Sequence, residues 1–371
     1  IGRAKSGFQK KASNSKRRLM AKRIGEWRGL CLLAGLSIGC TQSFSGGVTT
    51  GTVDAALVAL ANKMDAQVAE AYSKQDPTLL TSLASQTLAP QIAHAKLPKF
   101  DEPLTSAGRY RIFYSRLKGA NSQMLQLKDG PEVIVNCKAV SNEILASLPI
   151  YSSGKLTTYL ANWVYVKEGS EWKLNSAGIG PYTHLGKTGK EYTAKAQEAM
   201  SKGDWLAATP PLCTALRLDK PTGNIQFEYS AQLETLRKQL LAKEEAFFPH
   251  EIKAGKQKIP LCRAVMSCEP FIPDRPHLAN KPIPCIGIYS PAYDPKDGEK
   301  TRASIEQCHA ELVKLFPHSC DDCEVVEYKL LPKLTTSDQE VLSARVATLI
   351  DVKTGKVIRA LKGQRRDAEV R

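Results

Sequence analysis

Apolar residues recur at Val53, Leu57, Leu60, Ala61, Met64, Val68 and Ala71, the spacing of one helical face. Asp76-Pro77 then restarts a helix, with Asp76 as N-cap and Pro77 in the first turn. Leu79, Leu80, Leu83 and Leu88 supply its apolar side. From about residue 108 the period shortens to that of strands. The expected segments are Tyr110–Arg116, Ser122–Leu127, Glu132–Val140, Thr157–Lys167 and Glu171–Ala177. The last two are joined by the short hairpin loop Glu168-Gly169-Ser170.

Helical spacing returns over residues 190–248. Glu191–Ser201 and Leu206–Leu218 flank the turn Gly203-Asp204-Trp205, and Pro210-Pro211 is expected to break the second of these helices. A longer helix is expected over Asn224–Phe247, with Ile225, Tyr229, Leu233, Leu236 and Leu240 as its stripe. Residues 280–365 then alternate in type. Ile283–Tyr289 and Cys323–Leu331 read as strands around an amphipathic helix, Glu299–Leu315. Ala344–Ile350 and Lys356–Leu361 form a hairpin whose turn, Asp351–Gly355, places Gly355 at positive φ.

These patterns divide the chain into a signal region over 1–39, a tether over 40–51 and a cone-like α+β domain over 52–185. A helical bridge over 190–250 and a Cys-rich α/β domain over 260–371 follow. The expected fold class is therefore α+β: helices with a curved antiparallel sheet, a helical bridge and a C-terminal α/β domain.

Composition changes the picture at one end only. The 371-residue chain has a formal charge of +15, but residues 1–30 hold ten Lys or Arg against the single acid Glu26. That segment accounts for +9, leaving +6 for the rest. The basic residues beyond it are interspersed with acids, which reads as a solvated surface and argues against a nucleic-acid partner.

After the basic run comes Gly29–Cys40, with about ten apolar residues, half of the roughly 20 that a spanning helix needs. A positive segment, a short apolar segment and small residues make a secretory signal, with Met20 expected as its start. Ser37-Ile38-Gly39-Cys40 resembles the lipobox of bacterial lipoproteins, in which the Cys is acylated and becomes the mature N-terminus. Ser37 departs from the Leu usual there, and Leu36 sits one place early. The resemblance implies lipidation at Cys40 and a membrane partner through the lipid. It also implies a cell-envelope location, at the periplasmic face of the outer membrane. The alternative is an ordinary signal cleaved after Ser45 and a periplasmic protein.

Eight of the ten cysteines follow Cys40, and six of them cluster: Cys262, Cys268, Cys285, Cys308, Cys320 and Cys323. In an exported chain such a cluster reads as a disulfide framework whose connectivity stays open. A thiol–disulfide site at Cys320-Asp321-Asp322-Cys323 is opposed by the two aspartates, whose charge disfavours a thiolate. Zinc held by Cys320 and Cys323 with His318, His309 or Cys308 lacks a second CxxC, so no metal is expected.

The helices followed by a sheet ending in Trp163–Leu174 resemble the nuclear transport factor two-like (cystatin-like) cone fold. Ala71-Tyr72-Ser73-Lys74-Gln75-Asp76 is similar to that family's Y…GD segment, with Gln75 in place of Gly. The family's enzymes use an Asp and a His inside the cone. His94 and Asp101 are the nearest such residues, but they fall in or beside a Pro-containing linker and receive no catalytic role. Glu191–Leu218 resembles one tetratricopeptide-type helix pair, which implies a protein partner. The last α/β segment resembles the small domain of outer-membrane assembly lipoproteins through its D-x-x-T-G-x-V hairpin.

No phosphate loop, H-E-x-x-H or G-x-S-x-G is present, and Ser152-Ser153-Gly154-Lys155 reads as a plain turn. No catalytic residue and no cofactor follow. The expected function is that of a non-enzymatic envelope binding or scaffold lipoprotein. The alternatives are a cone-fold small-ligand binder or enzyme, and a periplasmic thiol–disulfide protein.

Overall fold

The computed structural model describes residues 47–49, 53–93, 95–100, 102–116, 123–128, 132–139, 141–154, 157–254, 257–267, 283–289, 298–319, 321, 323–331, 333–335, 340–341 and 346–362. It is a mixed α+β chain with a strongly curled antiparallel half-barrel sheet. Two compact units divide it. One comprises the chain up to Gly186 together with Lys220–Glu228, and the other comprises Lys187–Asp219 and Tyr229 onward.

The first unit begins its helical part with α1 (Ala55–Ser73), capped by Asp54, whose Oδ1 accepts from the Leu57 amide at 2.8 Å. Its stripe of Ala61, Met64, Val68, Ala69 and Tyr72 is buried. The helix stops where Gln75 turns left-handed at φ 55, the conformation that a Gly would adopt without strain. The Gln75 amide offsets that strain by donating to the carbonyls of Tyr72 and Pro98 at 3.0 and 2.7 Å. Asp76 caps α2 (Pro77–Leu83) by accepting from the Leu79 amide at 2.9 Å, with Pro77 in the first turn as expected. The short α3 (Ala89–Ile92) follows.

The half-barrel is built from β2 (Thr105–Arg116), β5 (Glu143–Ser152), β6 (Thr157–Glu168) and β7 (Glu171–His184), neighbours in that order and antiparallel throughout. Register shifts in β2 at Ser106/Gly108 and Arg109/Arg111, and in β7 at Tyr182 and Asn175, opposite Thr158/Tyr159 and Val164/Tyr165 of β6, mark the bulges that bend it. Its inner face buries Leu145, Tyr151, Trp163, Tyr165 and Leu174 in one cluster with α1. The opposite face buries Ile144, Ala146, Leu148, Leu160, Val164 and Val166. Burial on both faces removes alternation, and this hides β5 from a pattern reading.

A second sheet runs β1 (Gly47–Thr49), β3 (Gln123–Lys128), β4 (Val133–Ala139), β9 (Ile225–Phe227). The first pair is parallel and the others are antiparallel. β9 corrects the expectation of one helix over Asn224–Phe247. Ile225–Phe227 pairs with Val133–Val135, and the helix starts only at Ser230. The segment is held by a close approach: a Cβ added at Gly180 would lie 1.9 Å from the Pro221 carbonyl oxygen.

In the second unit the short β8 (Lys187–Thr188) leads into α4 (Gly189–Ser201) through a capping box of Thr188 and Glu191. Then comes α5 (Trp205–Asp219), which runs unbroken through Pro210 and Pro211, contrary to expectation. Both prolines are buried, along with most residues around them, so packing on several sides outweighs the lost backbone bonds. After α6 (Ser230–Phe247), the six strands β10 (His250–Ala254), β11 (Gln257–Ser267), β12 (Ile283–Tyr289), β13 (Val325–Leu331), β14 (Val346–Asp351) and β15 (Lys356–Lys362) form a sheet in chain order. The β12–β13 pair is parallel, connected through α7 (Gly298–Leu315), and the rest are antiparallel. Gly355 takes φ 65 in the β14–β15 turn, as expected. Trp205, Phe247, Phe248 and Phe316 pack edge to face at 4.9–5.9 Å and join α5, α6 and the end of α7.

Candidate functional site

The most concentrated buried chemistry lies on the inner face of the half-barrel. Asp65 occupies the apolar stripe of α1 and is 3% exposed. Its carboxylate receives three donors, one from each of three strands. Ser147 Oγ of β5 donates to Oδ2 at 2.6 Å, Arg109 Nη2 of β2 to Oδ2 at 2.6 Å, and Tyr165 Oη of β6 to Oδ1 at 2.7 Å. Tyr151 Oη donates to the Asp65 backbone carbonyl at 3.3 Å. Alternation along the strands brings these side chains to one face, and the bulge at Arg109/Arg111 resets β2 there.

Burial raises the Asp65 carboxyl above the usual carboxylate range, against the pull of Ser147, Tyr165 and Arg109. Burial first, and the Asp65 charge second, push the Tyr165 hydroxyl well up. Two more buried donors lie in this region, Arg109 Nε and Trp163 Nε1, and neither has a hydrogen-bond partner among the described residues. Trp163 packs on Tyr151 with ring centroids 5.2 Å apart. The arrangement ties α1 to three strands through one carboxylate. It keeps both tyrosines protonated and leaves two N–H groups over.

Pattern reading passes over this centre. The one signal is an acid, Asp65, set beside Met64 within the apolar stripe of α1. His94 and Asp101, the pair suggested by resemblance, lie outside the described residues.

The cysteine cluster is only partly described. Cys40, Cys268 and Cys320 lie outside the described residues, as does the side chain of Cys262 in β11. Among the described residues Cys285 and Cys308 are in no disulfide, and both are fully buried. Cys285 stands opposite Glu327, on the side of β13 away from Tyr328, whose hydroxyl meets His309 of α7 at 3.1 Å. Cys285 and the helix carrying Cys308 therefore address opposite faces of the sheet. Burial pushes the Cys308 thiol up to about 12, and burial, with Glu327 beside it, also raises the Cys285 thiol well above its ordinary value. Cys323 is half-buried just before β13. Among the described residues no His, Cys, Asp and Glu group of three or more is arranged to hold a metal. His318 is exposed, with Nδ1 3.0 Å from Asp321 Oδ2.

Among the described residues no helix is long and apolar enough to cross a membrane. No protein-family model, curated protein or solved structure matches the chain.

Proposed function

We propose that the protein is an exported bacterial envelope lipoprotein. In this reading it is anchored through Cys40 and acts without catalysis as a binding or scaffold module, with its half-barrel an example of the nuclear transport factor two-like cone. The observation that carries the non-catalytic part is the state of the inner face. Trp163, Tyr165, Tyr151 and Leu145 fill it, and the Asp65 carboxylate is already engaged by Ser147, Arg109 and Tyr165. A general base needs a lone pair within reach of a substrate proton, and Asp65 directs its own into the protein. The export part rests on the basic segment, the short apolar run and the Ser37–Cys40 motif. The helical hairpin α4–α5 supplies a partner surface in this reading.

Growth in a bacterial host with a labelled fatty acid tests the anchor. The label is expected on the wild type and absent from Cys40→Ala. An unlabelled wild type, or a label that survives the substitution, overturns it.

A second reading, small-ligand binding inside the cone, is favoured by the two unpartnered donors Arg109 Nε and Trp163 Nε1. A panel of small carboxylates that raises the melting temperature of the wild type but not of Arg109→Met would establish it.

A further inference from the structure

The face of the half-barrel away from the Asp65 cluster carries a second set of buried polar groups. Asn162 lies on β6 between Leu160 and Val164, which share its face and are fully buried. Asn162 itself is 1% exposed. Its partner across the ladder is Gly178 of β7. The returning segment Lys220–Glu228 covers that face of β7 at three successive positions. Asn224 Nδ2 donates to Ser176 Oγ at 3.3 Å, Thr222 lies over Gly178, and Pro221 lies over Gly180.

Thr222 is 5% exposed. A Cβ added at Gly178 would meet Thr222 Cβ and Cγ2 at 2.9 Å and Oγ1 at 3.8 Å. Residues directly opposite in an antiparallel pair share a face, with Cβ atoms about 5 Å apart. Asn162 and Thr222 therefore flank one point, Asn162 from the sheet and Thr222 from the segment laid over it. Asn162 Oδ1, Asn162 Nδ2 and Thr222 Oγ1 are all buried there without a hydrogen-bond partner among the described residues.

A buried amide that lacks partners at both atoms is costly, and turning it over exchanges the two atoms and satisfies neither. The hydroxyl beside it can both donate and accept. A donor, an acceptor and a group that serves as either are the partners that a buried water takes. The carbon atoms of Thr222 crowd the Gly178 position, which favours water over a larger ligand.

We propose that buried water bridges the Asn162 amide to the Thr222 hydroxyl and so ties Lys220–Glu228 to β6 as well as to β7. The amide offers a bond at each of its two atoms, and Thr222 Oγ1 completes the bridge from the segment's side.

The test counts long-lived internal waters in the full chain by magnetic relaxation dispersion of the water oxygen. The wild type is expected to hold at least one more than the double variant Asn162→Leu/Thr222→Val. These near-isosteric changes remove all three polar atoms. Equal counts in the two folded proteins overturn the proposal. A crystal structure of the wild type decides the point if the double variant does not fold. Ordered water should lie within hydrogen-bond distance of both residues. A dry contact, water on one residue alone, an amide bonded at both atoms to protein groups, or a solute other than water there overturns the bridge.

Discussion

At the residue scale, Asp65 determines how α1 is held. A buried charge is tolerated only when paired and hydrogen-bonded, and Arg109, Ser147 and Tyr165 supply that pairing from three strands. Removing one member leaves the others uncompensated, whereas replacing the ion pair by apolar side chains is often neutral. Asp65→Leu is therefore expected to cost about 3 kcal/mol in urea unfolding, and adding Arg109→Met should recover most of that loss. Equal, additive losses from the two changes would show that the carboxylate and the guanidinium act independently. Gln75 shows the same economy at a smaller scale. Its left-handed backbone is strained, and its own amide makes the two bonds that hold it.

At the element scale, the segment Lys220–Glu228 is the informative case. It returns to the first unit for nine residues between two stretches of the second. It is seated by backbone contact against Gly180 and by β9 pairing with β4. Gly180→Ala is expected to destabilise the protein by about 2 kcal/mol, the range for overpacking, because the obstructing atom is a carbonyl oxygen that cannot rotate away. Limited proteolysis should then cut first within 220–228. A variant as resistant as the wild type would show that the approach relaxes without releasing the segment. Gly169, at φ 63 with open space around its Cβ position, is the control that reports backbone conformation alone.

Elements with a one-sided environment were legible from the sequence. Helix α1, the cap at Asp76, strand β7, helix α7 and the β14–β15 hairpin each bury one side or carry a defined turn residue, while β6, buried on both faces, was legible through its aromatic and β-branched residues and the Gly169 loop that follows it. Their period and punctuation are accordingly local. β5 was not legible, because both of its faces are buried and alternation disappears. β9 was not, because three residues pair with a strand some ninety positions away. The unbroken α5 was not, because the local penalty of Pro210 and Pro211 is overridden by contacts that their own neighbourhood does not encode.

At the scale of the whole molecule, the question is whether the cysteines pair, as the proposed export would allow. Cys285 and Cys308 are buried within the second unit, with thiols raised by burial. They are expected to resist alkylation in the native protein and to react fully in denaturant, as read by mass spectrometry of the labelled peptides. Labelling of either in the folded state would show that the sheet opens readily. Peptides carrying Cys262, Cys268 and Cys320 in the same digest report whether disulfides form among the remaining cysteines of the cluster.

The sequence by itself determined the α+β class and the positions of most one-sided elements, and it carries the N-terminal pattern on which the proposed export rests. Each of these is written in short-range spacing or in composition. Only the tertiary structure decided that Asp65, Arg109, Ser147 and Tyr165 meet, that residues 220–228 belong with a sheet formed far earlier in the chain, and that Arg302 and Glu306 of α7 bond the backbone of Val357. The physical reason is the same in all three. Each is a pairing between groups distant in sequence, made specific by burial and by hydrogen-bond geometry, and neither property exists until the chain has folded.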